Sequence, residues 1–274
     1  MVDKNTFQLC ESITEEEALK LDDNYCGNFK FDGCRILAVV KDGKVALLNR
    51  RGYSPVNEFA EVVEDLKSMS NCVIDGEVID YTDTFNKLQR RAGTRDRAKQ
   101  EQLRKEIPVK YEVFDILLNS QGSLVRLPLR ERVDKLKELF QEFNQKFSDR
   151  KPCIEMVEYK PIKEMLEQAH SQDREGILVK NWNGIYEGRR TRNWQKCKFF
   201  VETTIKVCKY EVNPKGIRAE DKKGNAIQVA GNQSIAVKQA IDTFGEVEVN
   251  VQYLEMTKEG RMRFPSFRSI KKDL

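Results

Sequence analysis

Lys30 sits in Asn28-Phe29-Lys30-Phe31-Asp32-Gly33-Cys34-Arg35, where a lysine, an acid, a glycine and an arginine fall within six residues. Alternate side chains of an extended segment share a face, so Lys30 and Asp32 point together while Phe29 and Phe31 point towards a core. Gly33 lets the backbone turn or a ligand approach closely. A lysine held beside apolar walls and a second cation has its pKa lowered, which frees the amine as a nucleophile. A solvated hairpin edge can carry the same K-x-D-G pattern, so the rest of the chain must decide.

Other stretches carry charged groups whose spacing calls for a partner. Val73-Ile74-Asp75-Gly76-Glu77-Val78-Ile79 reads as a buried strand interrupted by two acids, or as a tight turn between two short strands. Two buried carboxylates require a cation, a metal or backbone amides. Asn193 to Phe200 alternates polar and apolar residues, which puts Lys196 and Lys198 on one face. Two ammonium groups so placed repel unless an anion sits between them, and phosphate is the natural guest. Val109 to Leu118 is another strand pattern, carrying Glu112, Phe114 and Asp115, and Arg174 to Lys180 is a third. Residues 86–107 are densely basic, with Arg90, Arg91, Arg95 and Arg104 among the cations and few acids beside them. Such a helical run is a candidate for phosphate contact.

The elements that position these groups are legible from local pattern. Thr14 and Glu17 form a capping-box signature for a short helix. Lys41-Asp42-Gly43 lies between two apolar runs, the mark of a hairpin, and the second run leads into Asn49-Arg50-Arg51-Gly52-Tyr53. Pro55 opens a helix with Val56, Phe59, Ala60, Val63 and Leu66 at helical spacing, and longer helices follow over 129–147 and 161–169. From residue 202 onward the pattern changes to short strands with Gly and Asn turns, as expected for a small OB-type barrel. The expected class is α+β: a domain of antiparallel sheets with flanking helices over 1–200, then an all-β barrel over 201–274.

Composition narrows the setting. Charged residues make up 34% of the 274-residue chain and hydrophobic residues 39%, the balance of a globular protein with a highly charged surface. No apolar run reaches membrane-spanning length, and the first residues lack a signal-peptide pattern. Seven cysteines without C-x-x-C spacing and the single His170 argue against structural zinc and for reduced thiols in a cytoplasmic protein. A net charge of +4 permits nucleic acid as a partner without demanding it.

Taken in order, FKFDGCR, VIDGEV, YEVFDI, EGILVK and WQKCK resemble motifs I, III, IIIa, IV and V of the covalent nucleotidyltransferases, and specifically of the ATP-dependent DNA ligases. The resemblance spans most of 25–200; NKLQRR at 86–91 and the ending Arg263-Phe264-Pro265-Ser266-Phe267 also look like ligase segments. The resemblance implies a nucleotidyltransferase domain with ATP-grasp-like sheets. It makes Lys30 the residue that takes AMP from ATP and passes it to the 5′-phosphate of a nick. It places Arg35, Arg50, Glu77, Phe114, Lys180, Lys196 and Lys198 with Lys30 around the nucleotide, Phe114 stacking on adenine. Glu77 and Glu175 would hold ribose or Mg²⁺, and Arg35, Arg50, Arg90 and Arg91 would meet nucleic acid. An RNA ligase, a GTP-using capping enzyme and an inactive nucleic-acid-binding OB protein are the alternatives.

The chain departs from the family pattern at three places. Asn28 stands where the family often has Glu, which alters contacts around the adenine or ribose. The family's final R-x-D-K aligns with Lys271-Lys272-Asp273-Leu274. No segment precedes residue 25 that would make a large DNA-binding domain, so the expectation is a minimal two-domain monomer on nicked duplex DNA, helped by a repair or replication partner and nucleoid-associated if prokaryotic or viral. Since R-x-D-K orients the pyrophosphate leaving group, self-adenylation is expected to be slow, and Lys271→Arg should accelerate it. An unchanged rate of AMP transfer to the enzyme would count against that role.

Overall fold

The computed structural model describes residues 7–81, 85–257 and 259–271, and the chain forms two compact units, Met1–Cys197 and Lys198–Leu274. The first unit contains two sheets. One has the order β4 (Lys44–Asn49), β3 (Cys34–Lys41), β5 (Cys72–Asp80), β6 (Val109–Asn119), β7 (Gly122–Ser123), with β8 (Ile154–Met156) also on β6. The other has the order β1 (Leu9–Ser12), β10 (Arg190–Lys198), β9 (Gly176–Asn181), β2 (Tyr25–Phe29). Antiparallel pairing dominates, as expected, but β1 runs parallel to β10 and β8 parallel to β6, so both sheets are mixed.

Alternation along the strands of the larger sheet creates two different faces. Ile36, Ala38, Val40, Cys72, Ile74, Val78, Tyr111 and Val113 point to a core shared with α2 (Ala60–Leu66) and α5 (Leu129–Asn144). Leu37, Val73, Phe114 and Leu117 point the other way, into a cluster with Phe7, Tyr186 and Trp194. The polar groups of Arg35, Asp75 and Glu77 fall on this second face by the same alternation. Across the smaller sheet, α6 (Ile162–Ser171) covers the side of Gly27, where Met165 packs so closely that a Cβ on that glycine would lie 2.9 Å from it. The opposite side of that sheet, bearing Lys180, faces the Phe114 cluster.

A bulge sets the position of Phe114. Asp75 pairs with Asp115 and Gly76 with Val113, so β6 carries one extra residue at Phe114. Val113 and Ile116 therefore both enter the helical core while Phe114 is turned to the other face. Gly76 permits the crowding, since a Cβ there would lie 2.6 Å from the Glu112 carbonyl oxygen. Gly33 acts likewise: a Cβ would fall 2.2 Å from the Val78 carbonyl oxygen, so the close approach that Gly33 allows is that of its own neighbouring strand.

The basic segment expected as one helical run is two helices, α3 (Phe85–Gly93) and α4 (Arg97–Glu106), with a short connector. α1 (Glu15–Ala18) has the expected capping box. The helix after Pro55 begins only at Ala60, residues 56–59 forming turns.

The second unit is a five-stranded antiparallel sheet of β11 (Val201–Asn213), β12 (Gly216–Asp221), β13 (Ala226–Val229), β14 (Val247–Tyr253) and β17 (Ser266–Ile270), ordered β13-β12-β11-β14-β17. Its two edge strands, β13 and β17, also touch. The hairpin β15 (Glu255–Met256) and β16 (Met262–Arg263) is an appendage. The helix α7 (Gly231–Phe244) inserted between β13 and β14 was not expected from a run of short strands. It buries Val237 and Ile241 one turn apart and ends at Gly245 in the left-handed conformation. No helix among the described residues is long and apolar enough to cross a membrane.

Arg132 of α5 ties the helix to β6. Its fork meets both Asp115 oxygens at 2.8 Å with both side chains fully buried, and its Nη1 donates to the carbonyls of Leu127 and Gly184. Replacing it by alanine leaves a buried carboxylate without its countercharge, so Arg132→Ala should destabilise the fold by about 3–5 kcal/mol. Denaturant unfolding reads this directly; a loss under about 1 kcal/mol would mean that the Ile116 amide alone satisfies Asp115.

Candidate active site

Lys30 immediately follows β2, and its backbone N–H donates to Gly176 O at the start of β9. That pairing places Lys30 beside Glu175, and Lys30 Nζ lies 2.5 Å from Glu175 Oε2. Both side chains are mostly but not fully buried, so the pair stands at the rim of the inter-sheet space. Glu77 is half-buried on β5, where burial pushes its carboxyl up to about 8 while Lys30 and Arg35 pull the other way.

Arg35 is held from several sides. Its Nε and Nη2 donate to the two Asp75 oxygens at 3.0 and 2.7 Å, and Nη1 donates to Gln8 O at 2.5 Å. The guanidinium lies 5.2 to 5.5 Å from the ring centroids of Phe7, Phe114 and Trp194. Tyr186 Oη donates to Asp75 at 2.8 Å. Arg35 thus braces motifs I and III, and its fork is engaged by a carboxylate in this state.

Lys180 is fully buried and almost entirely surrounded by aromatic rings. Its Nζ lies 4.3 Å from the Phe114 centroid, 4.1 Å from Trp194 and 5.1 Å from Tyr159, and it donates to Tyr159 Oη at 2.9 Å. Tyr159 in turn donates to the Phe114 carbonyl. Burial brings the ammonium down to about 8 despite the opposing pull of Asp115 and Asp75. Phe114 itself is only 3% exposed, its ring packed against Lys180 and edge-on to Trp194.

Lys196 shares the Trp194 face of β10 and sits opposite Ser12. The Cys10 thiol on β1 reports how these cations converge: burial pushes it up, while Arg35, Lys180, Lys196 and Lys30 all pull it down. Lys198 opens the second unit, where its Nζ lies 5.5 Å from the Phe264 ring centroid. Asn28, on the strand face of Lys30, is fully buried; its Nδ2 donates to Phe29 O while Oδ1 has no partner among the described residues.

A family model described as ATP dependent DNA ligase domain matches residues 7–198. This chain belongs to that family. A DNA ligase of Methanococcus aeolicus is 31% identical over 186 residues, covering 64% of this chain and 32% of its own length. The chain thus spans about a third of that curated relative. The SPbeta prophage-derived DNA ligase-like protein LigB of Bacillus subtilis is 26% identical over 266 residues, with 90% of this chain and 93% of that protein covered. Among solved structures, one of the Lig E DNA ligases, titled as binding DNA with a minimal scaffold, superposes with a TM-score of 0.68 at 19% identity, covering 99% of this chain and 100% of that one.

The stretches that resemble motifs I, III, IIIa, IV and V are brought near one another through Lys30, Arg35, Glu77, Phe114, Glu175, Lys180 and Lys196. Arg50 is exposed on the loop after β4. Arg90 is exposed and paired with Glu106. Arg91 needs correction as a nucleic-acid contact: it is 1% exposed, with its donors on Glu61, Glu58 O and Ile107 O. The segment is also less unbalanced than its sequence suggests, since Arg95 pairs with Glu58 and Arg104 with Glu64, both acids outside it. Gln8, Cys10, Asp75 and Tyr186 are the residues near the site that motif reading passed over as partners of Arg35 or the lysines. Of the aligned final motif, Lys271 pairs with Glu248 at 2.5 Å, while 272–274 lie outside the described residues.

Burial of Lys180 has a measurable consequence. Its ammonium form is disfavoured in the folded state, so the unfolded chain binds more protons between about pH 8 and 10.5, and stability should rise across that window. The full gain is on the order of 3 kcal/mol, from a shift of roughly 2.5 units. Unfolding free energies of the wild type and Lys180→Met, compared at pH 8 and pH 10.5, isolate it. Parallel curves would show that Lys180 is not enclosed in solution.

Proposed function

We propose that the chain is an ATP-dependent DNA ligase that seals 5′-phosphate/3′-hydroxyl nicks in duplex DNA. The observation that carries this is the Lys30–Glu175 pair at the rim of a cation-lined space, the arrangement that a lysine nucleophile attacking a polyphosphate requires. Lys30 Nζ forms a bond to the α-phosphorus of ATP, gives up a proton for which Glu175 Oε2 is the adjacent acceptor, and pyrophosphate leaves. An oxygen of the nick 5′-phosphate then takes the AMP as the Lys30–phosphorus bond breaks. Finally the 3′-hydroxyl attacks the 5′-phosphate, AMP departs and the strand is closed. Positioning and electrostatic stabilisation dominate such steps.

Lys196 supplies positive charge for the α-phosphate, and we place Lys198 and Arg50 with it on the phosphates. Phe114, expected to stack on adenine, is 3% exposed with Lys180 and Arg35 against its ring, so in this structure it serves as a wall of the site and not as an open stacking face. The Asn28 Oδ1 acceptor suits an exocyclic amine of adenine and opposes the carbonyl oxygen that guanine presents there, which favours ATP over the GTP of capping enzymes. Glu77 and Glu175 offer only carboxylate oxygens, a set that fits Mg²⁺ because that ion keeps most of its waters and needs one or two carboxylates. When bound, Mg²⁺ supplies charge neutralisation at the phosphates.

For the second unit we propose an OB-type barrel. Five strands with a helix after the third, and contact between the two edge strands, support it. The proposed partner is nicked duplex DNA, met by a cytoplasmic monomer.

Incubation with Mg²⁺ and α-phosphate-labelled ATP or GTP, after pyrophosphate treatment to discharge any bound AMP, tests the chemistry. Label from ATP should survive denaturation on the wild type and be absent from Lys30→Ala, and the labelled enzyme should seal a nicked duplex. Label from GTP alone would move the chain to capping chemistry, and no label would remove the enzyme reading.

A further inference from the structure

Arg95 occupies the connector between α3 and α4, and the backbone there is fixed on both sides. Thr94 Oγ1 donates to Arg90 O, Gln100 Nε2 donates to Thr94 O, and Asp96 caps α4 by accepting from the Lys99 amide. The side chain is fixed as well. Its guanidinium carbon lies 3.9 Å from the Tyr53 ring centroid, and its Nη1 donates to Glu58 Oε1. Tyr53 Oη donates to that same oxygen at 2.5 Å. Glu58 is 1% exposed, so the anchor is rigid and buried while the arginine it holds is 59% exposed. No further hydrogen bond engages Arg95 among the described residues, so Nη2 and Nε of this largely exposed side chain remain available to a ligand.

An exposed arginine normally loses side-chain entropy when it meets a phosphate. This one has already lost it in the free protein, and a stacked planar fork suits phosphate oxygens better than a mobile ammonium does. The location matches. Tyr53 closes the loop after β4, where Asn49 Oδ1 accepts from the Arg51 and Tyr53 amides and holds Arg50 and Arg51 at an exposed tip. Arg51 is close enough to motif I to pull on the Cys34 thiol, which burial otherwise pushes up to about 12.

We propose that Arg95, pre-set by the Tyr53 ring and the Glu58 carboxylate, is a contact for a DNA backbone phosphate, and that the basic segment reaches DNA through this residue rather than through Arg91. The inference rests on the nick-sealing reading and names the surface by which the first unit meets the duplex.

Binding of the full chain to a fluorescent nicked duplex, followed over a range of salt concentrations, tests it. Arg95→Ala should lower affinity about tenfold at low salt and reduce the slope of log affinity against log salt by about 0.9, the loss of one phosphate contact. Arg95→Lys should keep the slope and lose affinity, because charge remains but the stacked fork does not. Tyr53→Phe should do the same more mildly, since the ring persists and the tether to Glu58 is gone. Lys135→Ala, on the surface of α5, serves as the control with an unchanged slope. An Arg95→Ala protein that binds like the wild type, or one whose AMP loading without DNA falls in step with its DNA binding, overturns the assignment. A wild type that loads AMP yet fails to bind nicked duplex defeats the ligase reading itself, which is a different outcome from equal binding by the two proteins.

Discussion

The ion pair between Arg35 and Asp75 is the contact on which the rest of the first unit depends. It joins adjacent strands, β3 and β5, which a sheet would pair anyway, but it does so on the face turned away from the helical core. Desolvating two charges is costly, and their attraction repays the cost only with good geometry and further hydrogen bonds. Both conditions are met, and each added bond recruits another element. The Gln8 carbonyl brings in the N-terminal segment, Tyr186 brings in the stretch before β10, and Phe7, Phe114 and Trp194 close over the guanidinium. Gln8 then uses its own side chain to fix Glu187 and Thr191. The pair is therefore better understood as a registry device for two facing sheets than as a source of net stability.

A second buried pair, Asp115 with Arg132, lies one strand away, and its position follows from the bulge at Phe114. With regular alternation, Phe114 and Asp115 would fall on opposite faces. The extra residue turns both away from the helical core, Phe114 towards Lys180 and Asp115 towards Arg132. Asp75 and Asp115 are thereby register neighbours, an arrangement of like charges tolerable only because each carboxylate has its own arginine. Lys180 completes the group with an ammonium supported by rings and one phenol. Buried ion pairs are thus concentrated on the Phe114 face, among an apolar cluster of its own, while the opposite face of the same sheet packs on helices.

What was legible in the sequence was whatever depends on neighbours along the chain. The hairpin at Asp42-Gly43, the capping box at Thr14, the strand that carries Glu77 and the strand that Glu175 precedes all follow from local pattern. The convergence of Lys30 with Glu175 was legible too, but through motif order, since 145 residues separate them. Partner choice was not. Arg91 looked like a surface cation because its acceptors, Glu61, Glu58 O and Ile107 O, are distant in sequence or belong to the backbone. Arg35 looked like a free fork because nothing in K-x-D-G-x-R shows that Asp75 will take it. The helix α7 was hidden for a different reason: its buried stripe is short, and Gly and Asn at its start resemble the turns around it.

Lys30 faces opposed demands, and the geometry around it shows how one fold can meet both. In the proposed reaction it must attract a polyphosphate as an ammonium, yet only as an amine can it attack phosphorus. On the function proposed above, Glu175 at 2.5 Å would resolve the conflict by proximity, as an acceptor for the Lys30 proton already in contact. The neighbouring cations then matter in a second way. Arg35 is neutralised by Asp75, so its presence near Lys30 adds shape and rigidity more than net field. A charge that braces the site, such as Arg35, and a charge proposed to meet phosphate should fail in different ways when substituted: loss of fold for the first, loss of nucleotide binding for the second.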